Sequence, residues 1–255
     1  MRTFRILLAA LFATAGLPLL AQSESGLITS IEAEKKIDKK WSVGLEADLR
    51  TRNDFKTLDR WSLGVGASYK LNKWLKADAG YSLLDYNFRE KTEAYTSSAG
   101  NAKIKWRPSY WGIKHRLHAS LTGSYKFGNG LKLSLRERWQ YTYRPEKATE
   151  RYKLKLSDNT MTLDDDYMRN GSAKNQLRSR FQIEYDKKKA LFTPYASVEL
   201  YNSWGIGKVR YTAGTDIRLN KQHSFGVFYR YQSVKDADDE DPNMHYLGLG
   251  YKFKF

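Results

Sequence analysis

The chain has 255 residues, 44 Lys plus Arg against 28 Asp plus Glu, a formal net charge of +16, and 18 Tyr, 7 Trp and 18 Gly but no Cys. That length holds one or two domains. The lack of Cys excludes disulfide-stapled scaffolds, Cys-ligated zinc or iron–sulfur centres and a Cys nucleophile.

Arg2 and Arg5 precede an apolar run from Ile6 to Leu20, and Ala21 before Gln22 offers a small residue for cleavage. The pattern predicts a secretory signal peptide over residues 1–21 and a mature domain over 22–255. The run is short for a membrane-spanning helix and contains Pro18, which argues against an uncleaved anchor. Secretion also turns the basic charge away from nucleic acid as a partner.

Mean hydropathy is −0.68, but a membrane β-barrel alternates lipid-facing and lumen-facing residues and keeps its average low. That alternation recurs along the chain. After a weakly alternating Gly26 to Ile37, one face carries Trp41, Val43, Leu45, Ala47 and Leu49 and the other Ser42, Gly44, Glu46, Asp48, Arg50 and Arg52. Trp61 to Leu71 and Leu75 to Leu83 repeat the period of two, on either side of an Asn72-Lys73 turn. Helices would need apolar positions three and four apart, where these segments place charges.

Next, Ile113, Leu117, Ala119, Leu121, Tyr125 and Phe127 oppose Lys114, Arg116, His118, Ser120, Thr122 and Lys126. A Gly128-Asn129-Gly130 turn leads into Leu131 to Arg144, where Glu137 alone breaks the apolar face and requires a partner, a register shift or an interfacial position. Gln176–Tyr185, Phe192–Tyr201, Val209–Leu219, Ser224–Tyr231 and Tyr246–Phe255 complete the set. Aromatic residues such as Trp41, Trp61, Trp139 and Tyr143 near stripe ends suit a headgroup-level girdle.

Short turns alternate with longer polar loops at Asn53–Asp59, Asp85–Tyr110, Pro145–Lys174 and Lys235–Asn243, the bacterial pattern of short periplasmic and long outward connections. The expected fold is all-β, an antiparallel up-and-down transmembrane β-barrel of about 10 to 12 strands. Eleven candidates are visible, whereas a barrel with both termini in the periplasm needs an even number. The first segment is then not a strand, or one has been missed, or the amino terminus starts on the outer side. A soluble periplasmic β-sandwich is the competing fold.

The closing Gly250-Tyr251-Lys252-Phe253-Lys254-Phe255 is similar to the C-terminal insertion signal of outer-membrane barrels, with Gly250, Phe253 and Phe255 in the signal positions. That resemblance implies recognition by the barrel assembly machinery. Lys36-Ile37-Asp38-Lys39-Lys40-Trp41-Ser42, Glu46-Ala47-Asp48-Leu49-Arg50 and Leu247-Gly248-Leu249-Gly250-Tyr251 resemble a family of bacterial outer-membrane β-barrel proteins catalogued as a domain of unknown function. The resemblance implies a multi-pass barrel in the outer membrane and transfers no catalytic residues.

The predicted lumen face carries Arg50, Arg52, Lys114, Arg116, Arg136, Arg138, Arg178, Arg180, Arg210, Arg218 and Arg230, with Lys70, Lys76, Lys126, Lys132, Arg144, Lys252 and Lys254 on the same face. Its anions are fewer: Glu46, Asp48, Asp78, Glu184, Glu199 and Asp216. A confined cationic lumen concentrates anions, so small anionic solutes are expected partners of a narrow conduit. The alternative is a purely structural barrel filled by Arg, Lys and carboxylate pairs, because barrels of this size have little free bore. Arg107, Arg144, Arg151, Lys153 and Lys155 near loop bases suit outer-membrane lipids and lipopolysaccharide phosphates, or are ordinary solvated charge.

Asp164-Asp165-Asp166 and the run Asp236, Asp238, Asp239, Glu240, Asp241 supply oxygen ligands for Ca²⁺ or Mg²⁺ but lack EF-hand spacing, so no metal or cofactor is assigned. His118 and Ser120, two apart, share a strand face and resemble the His-x-Ser of outer-membrane lipid A deacylases and phospholipases. This is the hydrolase alternative. It places both residues on the lumen face, with no third member assignable.

Overall fold

A computed structural model describes residues 23–96, 102–155, 160–164, 167–187, 190–237 and 241–255. The expected leader lies outside the described residues. Eleven long strands close into a barrel. They are β1 (Ser23–Lys36), β2 (Trp41–Arg52), β3 (Thr57–Lys70), β4 (Leu75–Phe88), β5 (Tyr110–Lys126), β6 (Leu131–Arg144), β7 (Ser172–Tyr185), β8 (Phe192–Asn202), β9 (Ile206–Arg218), β10 (His223–Val234) and β11 (Asn243–Lys254).

Sequence neighbours pair antiparallel around the wall. The seam is different: β1 runs parallel to β11, from Ser23 against Asn243 to Glu34 against Lys254. An odd number of up-and-down strands leaves the first and last pointing the same way, so the closing ladder has to be parallel. The even-number rule therefore does not hold here. β1 starts at the long-loop end, and the carboxyl terminus lies at the short-turn end.

The short turns share one device. Asp38 Oδ1 accepts the backbone N–H of Lys40 and Trp41 at 2.6 and 2.7 Å. Asn72 and Asn220 repeat this with Trp74 and Leu75, and with Gln222 and His223, while Asn129 accepts from Leu131 at 3.0 Å. A short Asx side chain mimics a backbone turn, which is why these residues punctuate the strands. The bonds from Trp41 and Lys40 also hold the Asp38 carboxyl below its ordinary range.

At the other end the chain departs from the expected polar loops. Lys91–Thr96 and Ala102–Arg107, between β4 and β5, join Arg151–Lys155 and Thr160–Asp164, between β6 and β7, in a four-stranded sheet. Lys147–Ala148 pairs with Met168–Arg169. Strands of five or six residues are too short to show a membrane-length alternation, so Asp85–Tyr110 and Pro145–Lys174 read as loops. The β2–β3 connection also shrinks to residues 53–56, and β7 starts at Ser172 rather than Gln176.

On most of the strands the odd-numbered stripe faces outward and stays exposed, including Leu45, Leu63, Val65, Leu117, Leu135, Phe181, Val227 and Leu247, whereas on β8 the parity reverses, with Phe192 and Val198 outside and Glu199 and Tyr201 inside. Glu137 keeps its outward position without a register shift, and its cross-strand partner Ser179 donates a 2.7 Å hydrogen bond to it. The buried apolar side chains Ile28, Leu84, Met244 and Tyr246 lie on the even-numbered inner stripe. Phe228 packs against Ile28, Met244 and Tyr246. Its ring occupies the space above Gly248, where any Cβ would overlap it.

Candidate functional site

The inner stripe encloses a cavity of about 830 Å³ opening toward the long-loop end. Its wall holds fifteen Arg or Lys side chains against the five carboxylates Glu46, Asp48, Asp59, Glu199 and Asp241. At about 30 Å³ per water this is room for a hydrated solute, so this half of the barrel is not filled by its own side chains. Of the eleven lumen cations expected from sequence, ten line the cavity. Arg218 faces inward but sits at the short-turn end, half exposed, on Asp186 at 3.2 Å.

Strand register explains the layout. On β6 and β7, Arg138 stands directly opposite Arg178 and Arg136 opposite Arg180, two like-charged cross-strand pairs that repel unless countered. Glu199 on β8 counters them in part. Its Oε1 accepts from Arg136 at 2.5 Å and its Oε2 from Arg178 at 2.9 Å. Tyr201 Oη also donates to Glu199, at 2.9 Å. Asp78 on β4 lies 3.4 Å from Arg138.

Arg180 faces Glu199 in the β7–β8 register, yet Glu199 has given its oxygens elsewhere and Arg180 makes no hydrogen bond among the described residues. The buried Nε groups of Arg136, Arg138, Arg178 and Arg180 all lack acceptors there. On the far wall Asp48 bridges Arg50 and Arg60, each at 3.0 Å. Arg210 meets Gln232 at 2.8 Å and also Tyr201, Arg230 bonds Thr212, and Lys114 lies 4.0 Å from the Tyr86 ring centre.

Charge is unevenly distributed along the axis. Toward the short-turn end the cations are mainly Lys, and several are paired: Lys252 with Glu32 and Glu34, Lys132 with Glu184, and Lys126 with Asp186. Toward the long-loop end they are mainly Arg and outnumber carboxylates. Guanidinium forks, whose planar geometry matches oxyanions, thus collect toward the long-loop end.

Arg60, Arg89, Lys174 and Lys208 also line the cavity but escaped the sequence reading. Arg60 precedes Ser62 by two, and the period would have reached it had the strand been started earlier. Arg89 lies beyond the last alternating residue of β4 and carries no such signal.

His118 and Ser120 do share the lumen face, but the Ser120 hydroxyl donates to Asp78 Oδ1 at 2.5 Å. His118 Nε2 stands 3.9 Å from the same oxygen and makes no hydrogen bond to Ser120. The hydroxyl is therefore held by a carboxylate and not by the imidazole.

The loop-base cations are largely committed elsewhere. Arg107 meets Glu93 at 2.8 Å, Arg151 and Lys153 share Asp164, and Arg144 lines the cavity instead of facing lipid. No group of three possible metal ligands occurs among the described residues. Asp165, Asp166, Asp238, Asp239 and Glu240 lie outside them, and Asp241 pairs with Lys208 at 3.3 Å. Phe253 and Phe255 stack at 5.2 Å on the outer face of β11, while Gly250 packs near Ser30.

Closed barrel, outward apolar band and charged inner stripe define an all-β barrel of the outer-membrane type. The chain belongs to the family described as "Protein of unknown function (DUF2490)", which matches residues 26–244. No curated protein matches it in sequence. Among solved structures it is similar to the β domain of the Bordetella autotransporter BrkA, with 15% identity, 84% of this chain and 83% of that chain covered, and a TM-score of 0.50. It is also similar to the translocator domain of the autotransporter NalP from Neisseria meningitidis, with 11% identity, 87% and 77% covered, and a TM-score of 0.49.

Proposed function

We propose that the protein is an outer-membrane barrel whose lumen serves as a narrow anion-preferring conduit. The observation that carries this reading is the 830 Å³ cavity lined by three times as many cations as carboxylates. Such a wall raises the local concentration of anions and repels cations. The outward apolar band supports placement in a bilayer, with the short turns toward the periplasm and the four-stranded sheet outside. A cleaved leader delivers the chain, and the barrel assembly machinery reads Gly250, Phe253 and Phe255 on β11.

Lipopolysaccharide is the proposed outer neighbour. In the four-stranded sheet Lys105 and Lys153 are directly paired, as are Lys103 and Lys155; Lys153 is held by Asp164, so that face offers Lys103, Lys105 and Lys155 to phosphate. The lumen position of His118 and Ser120 gives the lipid-hydrolase reading no support.

Liposome uptake of size-matched anionic and cationic solutes tests the conduit, with heat-modifiable gel migration confirming a folded barrel. Preferential entry of the anion is expected. Equal exclusion of both solutes by a folded barrel would mean a structural protein with a closed bore.

A further inference from the structure

We propose that Arg136, Arg138, Arg178 and Arg180 form a binding site for a soluble phosphate-bearing dianion part-way along the lumen. The inference rests on the conduit reading in that the ligand must reach the wall through the long-loop mouth. Three independent features converge on it.

The first is register. Two arginine pairs stand directly opposite one another on adjacent strands, an arrangement that costs stability when unoccupied because like charges face each other at cross-strand distance. The second is charge. Glu199 and Asp78 neutralise two of the four guanidiniums, which leaves two positive charges. A phosphate group near neutral pH carries about −1.5 to −2 and closes that difference, whereas chloride or a monocarboxylate leaves it half open.

The third is hydrogen-bonding capacity. Buried Nε–H groups on all four arginines lack acceptors among the described residues. A buried donor without an acceptor is costly, and planar guanidinium forks match the oxygens of a tetrahedral oxyanion. Arg180 has most to gain, since it faces Glu199 in register but makes no bond to it. Gln140, which accepts from Arg178 at 3.0 Å, keeps a neutral neighbour beside the square.

The site lies on the inner wall near mid-strand, so a headgroup still attached to acyl chains in the bilayer does not reach it. A free phosphate or phosphate monoester does.

The test is calorimetric titration of the detergent-refolded chain with inorganic phosphate, alongside chloride and anionic phospholipid micelles. Saturable binding of phosphate at or below about 1 mM is expected, without comparable binding of chloride or the micelles. Arg180→Gln should weaken phosphate by roughly tenfold or more. Should that variant not fold, Arg180→Lys keeps the charge, loses the fork and should weaken binding severalfold.

No saturable phosphate signal from the wild-type barrel would overturn the site even if ion currents prove anion-selective. So would binding unchanged in both Arg180 variants. Phosphate binding in a barrel that passes no current would support the site and count against the conduit alone.

Discussion

Arg89 grips both carboxylate oxygens of Glu24, at 2.6 and 2.7 Å, and so ties the start of β1 to the chain just beyond β4 at the long-loop end. The neighbouring turn belongs to the same tie. Asn53 N–H donates to Glu24, and Asp54 accepts from the Ser25 amide, each at 3.1 Å. Three successive left-handed residues, Asn53, Asp54 and Phe55, bring these groups into reach. Such a conformation is unfavourable for Phe, so the contacts to β1 hold it in place.

Arg89→Gln should therefore loosen the seam at its outer end. Faster amide exchange at Ser25 and Leu27, with the strand middles unchanged, is the expected result. The global loss should be small, on the order of 1 kcal/mol, because the pair is partly exposed. Unaltered exchange at the start of β1 would show that the parallel ladder alone holds the seam.

Glu199 is the counter-charge shared by Arg136 and Arg178. Glu199→Gln should cost about 2–4 kcal/mol in urea unfolding of the refolded barrel, since removing one member strands the other buried charges. The same change should increase anion preference. Unchanged stability would mean that solvent, not Glu199, screens the arginines.

Phe228 and Gly248 are matched in size across β10 and β11. Gly248→Ala should destabilise the barrel by about 1–3 kcal/mol through overpacking, and Phe228→Leu should restore part of the loss in the double variant. Gly214 is the second constraint, with a built Cβ 2.6 Å from Phe228 Cβ. Additive losses in the double variant would contradict this packing.

Asp186, in the β7–β8 turn, has its carboxyl held below the ordinary value by the hydrogen bond from Lys126, with Arg218 adding to it. A depressed folded pKa stabilises at pH values above the unfolded one, near 3.9, and that contribution disappears as pH falls through the folded value. Asp186→Asn should lose less stability than wild type between about pH 5 and pH 2, by a few tenths of a kcal/mol because its partners Lys126 and Arg218 are exposed. Parallel acid titrations of the two unfolding midpoints would refute this.

Much of the wall was legible because a period of two is a property of local chemistry: Trp41 to Leu49 must face one way if Ser42 to Arg50 face the other. The same reasoning found ten lumen arginines and lysines before any register was known. Its blind spots are non-local. Parallel closure depends on which ends of β1 and β11 meet; an eleven-strand count is among the readings the sequence leaves open, and the register of β1 against β11 selects it.

Arg89 meets Glu24 across 65 residues of chain, and Asp78 accepts the Ser120 hydroxyl's hydrogen bond from 42 residues away. Neither pairing has a sequence signal. The four-stranded sheet escaped notice because Ile104 and Trp106 alternate with Lys103 and Lys105 over too few residues to resemble a membrane strand.

Reversal potential across a planar bilayer under a salt gradient, with the refolded barrel as the only conductor, tests the cationic lumen most directly. An anion-selective current is expected, reduced toward non-selectivity by joint neutralisation of Arg136, Arg138, Arg178 and Arg180. A cation-selective current, or none from a verified folded barrel, would contradict the conduit.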